Sequence, residues 1–263
     1  LAHFCDYFPG RLSGSTNLEN GIDWMVDELK KDGFENVHTE EVTVPHWVRG
    51  EESAVALTPI QYKLHMLGVG GSIGTTGVTA EVFTVRDMDD LDARASEARG
   101  KIVLFNTPFT TYGETVKIRS RGAIRAASAG AVASLIRSVN SYSMRTPHTG
   151  MMRYSDTVSK IPHAAITPED ADWIARMQSR GEKVTVQLKM GAQTFPPAKS
   201  RNVIAEIRGT EQPDRYFLLS AHLDSWDVGQ GAMDDGGGCL AVWEAMRLIK
   251  ELGLKPKRSL RLV

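Results

Sequence analysis

Cysteine is nearly absent: Cys5 and Cys239 are the only two in 263 residues. Two thiols build no disulfide framework, and without a CxxC or a Cys/His cluster a structural zinc finger is excluded. Long apolar runs are missing as well. Residues 129–136 form about the longest, far short of the ~18 needed to cross a bilayer, so no membrane span is expected. Neither sign of charge dominates, since 31 Lys and Arg against 32 Asp and Glu leave a formal net charge of −1. That balance excludes strong non-specific attraction to nucleic acid or to an anionic membrane. The sequence has no G-x-S-x-G nucleophile elbow, so Ser225 beside His222 and Asp224 is no convincing triad. Gly68, Gly70 and Gly74 miss the dinucleotide spacing, and no Walker loop is present. No Asn-x-Ser/Thr acceptor occurs, which leaves the compartment open. The chain begins at Leu1 and stops at Val263 inside an apolar stretch, and it reads as a piece of a longer polypeptide.

What is present is a soluble-type composition, 41% hydrophobic and 24% charged, sufficient for one large or two modest domains. Residues 11–16 (RLSGST) are turn-rich and lead into a helix. Thr16 and Glu19 have the capping-box spacing. Leu18, Ile22, Met25, Val26 and Leu29 recur on one face, and Gly33 supplies the stop. Val37, Thr39, Val42 and Val44 predict a strand closed by Pro45, with no partner sheet nearby. From about Val48 short strands are expected at 53–57, 62–67 and 78–85, then at 101–106, with a helix over 116–129 and a strand over 131–136. Thr167 caps a helix that has Pro168 in its first position and ends at Gly181. Val184, Val186, Leu188 and Met190 alternate as a half-wet strand. Residues 193–200 (QTFPPAKS) read as a linker. Strands at 202–207 and 216–221, a helix with Ala241, Ala245, Leu248, Ile249 and Leu252 as its buried stripe, and a strand from Ser259 follow. The economical organisation is one α/β domain, residues 1–47 and 195–263, interrupted by a β-rich module over 48–194.

The stretch that carries chemistry is 220–238, SAHLDSWDVGQGAMDDGGG. An apolar strand leads to His222 and Asp224; Asp234 and Asp235 follow, and Gly236, Gly237 and Gly238 open the last helix. In open α/β sheets ligands bind at the carboxyl ends of strands. A neutral imidazole binds zinc well, and a nearby carboxylate fixes its tautomer, a role that suits Asp224. Asp234 could bridge two metal ions roughly 3.5–4 Å apart, and Asp235 sits where a helix start favours negative charge. An HxD alone is usually a hydrogen-bonded pair, and an Asp-Asp-Gly-Gly run alone is usually a turn with a cap. Both together at a strand end favour a metal site. His3, His38, His46, His65, His148 and His163 have no ligand spacing and read as structural. Trp24, Trp47, Trp173 and Trp243 read as core or interface, Trp226 could line a pocket, and residues 255–258 read as a solvated basic turn.

HLDSWDVGQGAMDDGGG resembles the first metal motif of the co-catalytic two-zinc peptidases, the family of bacterial aminopeptidases and glutamate carboxypeptidases. RLSGSTNLEN, VPHWVRGEESAV, ASEARGKIV, SLIRSV, PHTG, QLKMGA and LKPKRSLRLV carry the resemblance over nearly the whole chain. It implies fold class α/β: a truncated mixed-sheet core of the phosphorylase/hydrolase-like type, with a protease-associated domain inserted over 48–194. It implies two zinc ions per complete site, His222 as a ligand of one, Asp234 as the carboxylate bridging both, and Asp224 as the catalytic residue that orients His222. The Asp234–Asp235 bond corresponds to one that is cis in the family. Implied too are dipeptide or short-peptide substrates, a homodimer, and a secreted or lysosomal location, with neither nucleic acid nor a membrane span. In the family the general-base Glu, an adjacent Glu ligand, a later Asp and a last His fall beyond Val263. This stretch alone is therefore expected to hold no stoichiometric zinc, to cleave no peptide, and to leave an unpaired apolar strand edge at 259–263. The alternative is a receptor-like ectodomain of the same fold that has lost its metals. Intact His222, Asp224 and Asp234 weigh against it, because a buried charge cluster is costly to keep.

Overall fold

The computed structural model describes residues 1–142 and 144–263. By its internal contacts the chain divides into two compact units, Leu1–His46 with Phe195–Val263, and Trp47–Thr194. The first unit opens with α1 (Ala2–Tyr7) and α2 (Thr16–Lys31). The cap of α2 is Ser15, not Thr16: its backbone is extended and its Oγ accepts from the Leu18 N–H at 3.2 Å. Glu19, which the capping-box spacing assigned to the helix start, accepts instead from Ser200 Oγ at 2.7 Å and from Arg201 Nη2 at 2.9 Å. Leu18, Ile22, Met25 and Leu29 are buried as the periodicity predicts, each contributing about 2 kcal/mol. Gly33 ends the helix at φ +69°, a left-handed value. Strand β1 (Glu35–Val48) then runs straight through Pro45 rather than stopping at it.

The second unit holds β2 (Glu52–Thr58), β3 (Tyr62–Leu64), β4 (Met66–Gly68), β5 (Thr75–Val85), α3 (Met88–Ala93), β6 (Ile102–Phe105), α4 (Tyr112–Ser128), β7 (Ala133–Arg137), β8 (His163–Ile166), α5 (Pro168–Ser179) and β9 (Thr185–Met190). Eight strands form one mixed sheet in the order β3-β2-β9-β5-β6-β7-β8-β4. Its β5-β6-β7-β8 section is parallel. A parallel strand with helices on both faces reads as a continuous apolar run, and all four residues of β6 are buried. Ile102 and Leu104 join Ala171 and Ile174 of α5 in one core. Val103 and Phe105 face the other way, to Ala123 and Ala126 of α4. His163 starts β8 fully buried, its Nε2 3.0 Å from the Arg119 carbonyl. Burial pushes its pKa down from 6.5 to about 4, so it is a neutral core histidine.

The first unit resumes with β10 (Gln193–Ile207), β11 (Gln212–Leu219), α6 (Gly237–Glu251) and β12 (Arg258–Leu262). The four-stranded sheet runs β1-β10-β12-β11, with β10 antiparallel and β11 parallel to β12. Three expectations are corrected here. Residues 193–200 are the first part of β10, not a linker. Pro196 and Pro197 fit because β12 pairs only with Ala205, Glu206 and Ile207, so their missing N–H groups break no ladder on that side. Strand β12 is interior and paired on both sides, so the stretch from Ser259 is no free edge. The apolar edge is β11, where Tyr216, Phe217 and Leu218 are 43%, 53% and 59% exposed. Finally, α6 buries Cys239, Trp243 and Met246, whereas Ala241, Ala245, Leu248 and Leu252 face outward. The buried stripe follows Trp243, whose Nε1 donates to Asp32 at 2.7 Å.

Candidate metal site

Strand β11 keeps its parallel partner up to the site: Val263 N–H donates to the Leu219 carbonyl, and Ala221 N–H to the Val263 carbonyl. His222 therefore leaves the sheet at the carboxyl end of β11. Its two ring nitrogens face different aspartates. Nδ1 lies 3.1 Å from Asp224 Oδ1 and 3.0 Å from the Asp224 carbonyl, and Nε2 lies 3.0 Å from Asp234 Oδ1. The backbone is held as well. His222 N–H donates to Asp235 Oδ2 at 3.3 Å, and the Cys239 thiol donates to the His222 carbonyl at 3.1 Å. All three residues proposed from sequence are thus brought together, and Asp235 is drawn in through its backbone contact. The Asp234–Asp235 peptide is cis, as the resemblance implied.

Burial pulls the His222 imidazolium down, but the hydrogen bond to Asp224 and the charges of Asp224, Asp234 and Asp235 outweigh it. The net shift is upward from 6.5. With Nδ1–H donating to Asp224, Nε2 is the nitrogen that could serve as a metal ligand. Burial of Cys239 lifts its thiol to about 12, so the sulfur is a hydrogen-bond donor here and no thiolate ligand. The group is not the buried charge cluster expected from sequence: the His222 and Asp234 side chains are 53% and 78% exposed. The cost of keeping them is correspondingly small.

Gly236, Gly237 and Gly238 serve close approach rather than unusual torsions, since Gly236 and Gly237 have ordinary helical backbone angles. A Cβ on Gly238 would stand 2.2 Å from Asp235 Oδ1, and one on Gly236 would stand 2.8 Å from the Gly231 carbonyl. Beside the site lies a cavity of about 330 Å³, lined by apolar residues including Leu18, Ile22, Val44, Val203 and Val242 and by polar ones including His222 and Asp224. Trp226 is not among its lining residues.

Among the described residues no group of three or more His, Cys, Asp and Glu side chains is arranged to hold a metal. His222 and Asp234 nevertheless fit part of a zinc site. They supply an imidazole nitrogen and a carboxylate oxygen. These atoms are close to the roughly 3.3 Å that separates two ligands of one tetrahedral zinc, given bonds of about 2.0–2.1 Å. Sequence reasoning missed Arg11 and Ser13. Ser13 Oγ donates to Asp224 Oδ2 at 3.4 Å, and Arg11 is wholly buried beneath the loop. The segment RLSGST showed only turn character, because neither residue has a sequence-local partner at the site.

Known proteins resemble the chain in sequence and in fold. Residues 202–263 match the model of peptidase family M28. Carboxypeptidase Q of Homo sapiens is 57% identical over 265 residues, an alignment covering all of this chain and 56% of that protein. The chain thus spans about half the length of such relatives. The crystal structure of a peptidase M28 precursor from Shewanella amazonensis SB2B superposes with a TM-score of 0.92 at 38% identity, over all of this chain and 63% of that one. A zinc aminopeptidase from Bacillus subtilis shares the fold at a TM-score of 0.71 and 21% identity, over 99% of this chain and 58% of that one. No helix among the described residues is long and apolar enough to cross a membrane.

Proposed function

The chain is a relative of carboxypeptidase Q whose residues 202–263 carry the peptidase family M28 pattern, and on that premise we propose that the whole protein is a two-zinc peptidase acting on dipeptides and short peptides. The observation that carries the reading is the pairing of His222 Nε2 with Asp234 Oδ1 at the carboxyl end of β11. His222 would hold one zinc through Nε2, and Asp234 would supply a carboxylate to the site. Zinc, when bound, supplies a Lewis acid that acidifies water and polarises a carbonyl.

The chain's own residues prepare this. Nδ1–H donates to both the carboxylate and the backbone carbonyl of Asp224, which sets the tautomer and leaves Nε2 toward Asp234. Asp235 and Cys239 hold the His222 backbone from either side, so the imidazole is placed before any metal arrives. The general base and the remaining ligands come from outside these residues. The compact unit Trp47–Thr194 supports reading residues 48–194 as a protease-associated insertion, with 1–47 and 195–263 forming part of the peptidase domain. The resemblance further suggests a secreted or lysosomal homodimer.

The test is metal analysis and dipeptide hydrolysis on the full-length protein. Two zinc ions per chain, activity lost to a chelator and restored by zinc, and loss of activity in His222→Ala are expected. A full-length protein that holds no zinc and cleaves no dipeptide would falsify the reading in favour of a receptor-like ectodomain.

A further inference from the structure

Arg11 is fully buried, and a buried cation is tolerated only where its donors are satisfied. Its guanidinium donates to four carbonyls. Nη1 reaches Phe8 at 2.9 Å and Gln230 at 3.0 Å, Nη2 reaches Gly231 at 3.0 Å, and Nε reaches Leu223 at 2.8 Å. Three of these acceptors belong to the loop between His222 and Asp234. Leu223 directly follows His222, whereas Gln230 and Gly231 stand just ahead of the turn that presents Asp234. One planar group therefore ties together the two ends of the loop. The backbone of Arg11 adds a second clamp. Its N–H donates to Ser225 Oγ at 3.0 Å, and its carbonyl accepts from the Ser225 N–H at 2.9 Å. Its face lies 4.3 Å from the centre of the Phe4 ring, which holds the side chain on α1. The loop is shaped around this group: Gly231 has φ +61°, and a Cβ there would stand 2.8 Å from Arg11 Nη2 and 2.4 Å from Ser225 Cβ.

We propose that Arg11 is a positioning residue for the metal site, bracing the 223–231 loop so that His222 Nε2 and Asp234 Oδ1 face one another before zinc binds. The inference rests on the zinc-peptidase reading above. Lysine cannot replace it, because a single ammonium cannot span acceptors that the guanidinium fork reaches in different directions.

The test uses the full-length protein and its Arg11→Lys variant, with zinc affinity from chelator competition, the far-UV spectrum and melting of the zinc-free forms, and kcat and KM on one dipeptide. The expected result is a variant that folds, binds zinc about 10–100-fold more weakly, as for other residues that orient metal ligands, and loses kcat more than it changes KM. A folded Arg11→Lys protein with wild-type zinc affinity overturns the proposal. Should that variant not fold, Gly231→Ala decides. Its Cβ would stand 2.8 Å from Arg11 Nη2 and so would push the guanidinium off the loop; weakened zinc binding by the folded variant supports the proposal and wild-type binding overturns it. A wild-type protein without zinc overturns the reading of the site and this inference with it, whereas zinc bound equally by wild type and variant overturns this inference alone.

Discussion

His222 Nε2 stands 3.0 Å from Asp234 Oδ1, although one residue lies just past the end of β11 and the other in the turn ahead of α6. The loop between them is held by hydrogen bonds from Arg11 near the start of the chain. Under the proposed reading, pre-organisation of the site depends on what lies beneath it as much as on the two side chains.

Asp224 sets the imidazole. In Asp224→Asn the carboxylate charge beside Nδ1 is gone, while Asp234 and Asp235 remain. The pKa of His222 in the zinc-free chain, followed by its NMR ring signals, should therefore fall from its raised position toward 6.5. Zinc affinity of the full-length variant should drop about 10–100-fold. An unchanged His222 titration would remove Asp224 from this role.

Gly238→Ala should destabilise. Replacing a helical glycine with alanine ordinarily stabilises by roughly 0.5–1 kcal/mol. Here the new Cβ would meet Oδ1, Cγ and Oδ2 of Asp235 at 2.2, 2.6 and 2.6 Å, so the carboxylate that accepts from the His222 N–H must move. Urea unfolding of the variant is expected to show a loss of about 1 kcal/mol or more.

The two strands at the end of the first unit should respond oppositely to a charge. Leu218→Lys, on the exposed edge strand, should reduce self-association of the 263-residue chain in light scattering and leave stability within about 0.5 kcal/mol. Leu262→Lys, on the interior strand where Leu262 is buried, should cost several kcal/mol and lower the melting temperature sharply. Equal tolerance of both changes would contradict the strand order.

His163 makes stability depend on acid. Its folded pKa of about 4 lies below the unfolded 6.5, so between these values the unfolded chain binds a proton that the folded chain excludes. The associated stability is full above about pH 6.5 and is lost as pH falls toward 4. By linkage it amounts to on the order of 3 kcal/mol. Urea midpoints measured from pH 7 to pH 4 should fall less steeply in His163→Leu than in wild type.

Much was legible in the sequence, because it depends on neighbours along the chain. Leu18, Ile22, Met25 and Leu29 announce the buried face of α2 through the helical period, and Gly33 and Pro168 mark helix ends through fixed torsions. His222, Asp224 and Asp234 point to a candidate metal site by donor type, and the fold brings the three together. Other features were decided only when distant segments met. The buried stripe of α6 runs through Cys239, Trp243 and Met246 because that face meets α2 and the sheet, and apolar residues on both sides of the helix left the choice open. That β12 is interior and β11 the edge is a matter of pairing order, which the apolar character of the two strands does not encode. Arg11 could not be recognised, since its partners are backbone carbonyls of Leu223, Gln230 and Gly231, and a carbonyl carries no residue identity. Sequence supplied the chemistry of the proposed ligands; tertiary structure alone decided what holds these residues in place, because hydrogen bonds to the backbone depend on where the chain goes and not on which side chains it bears.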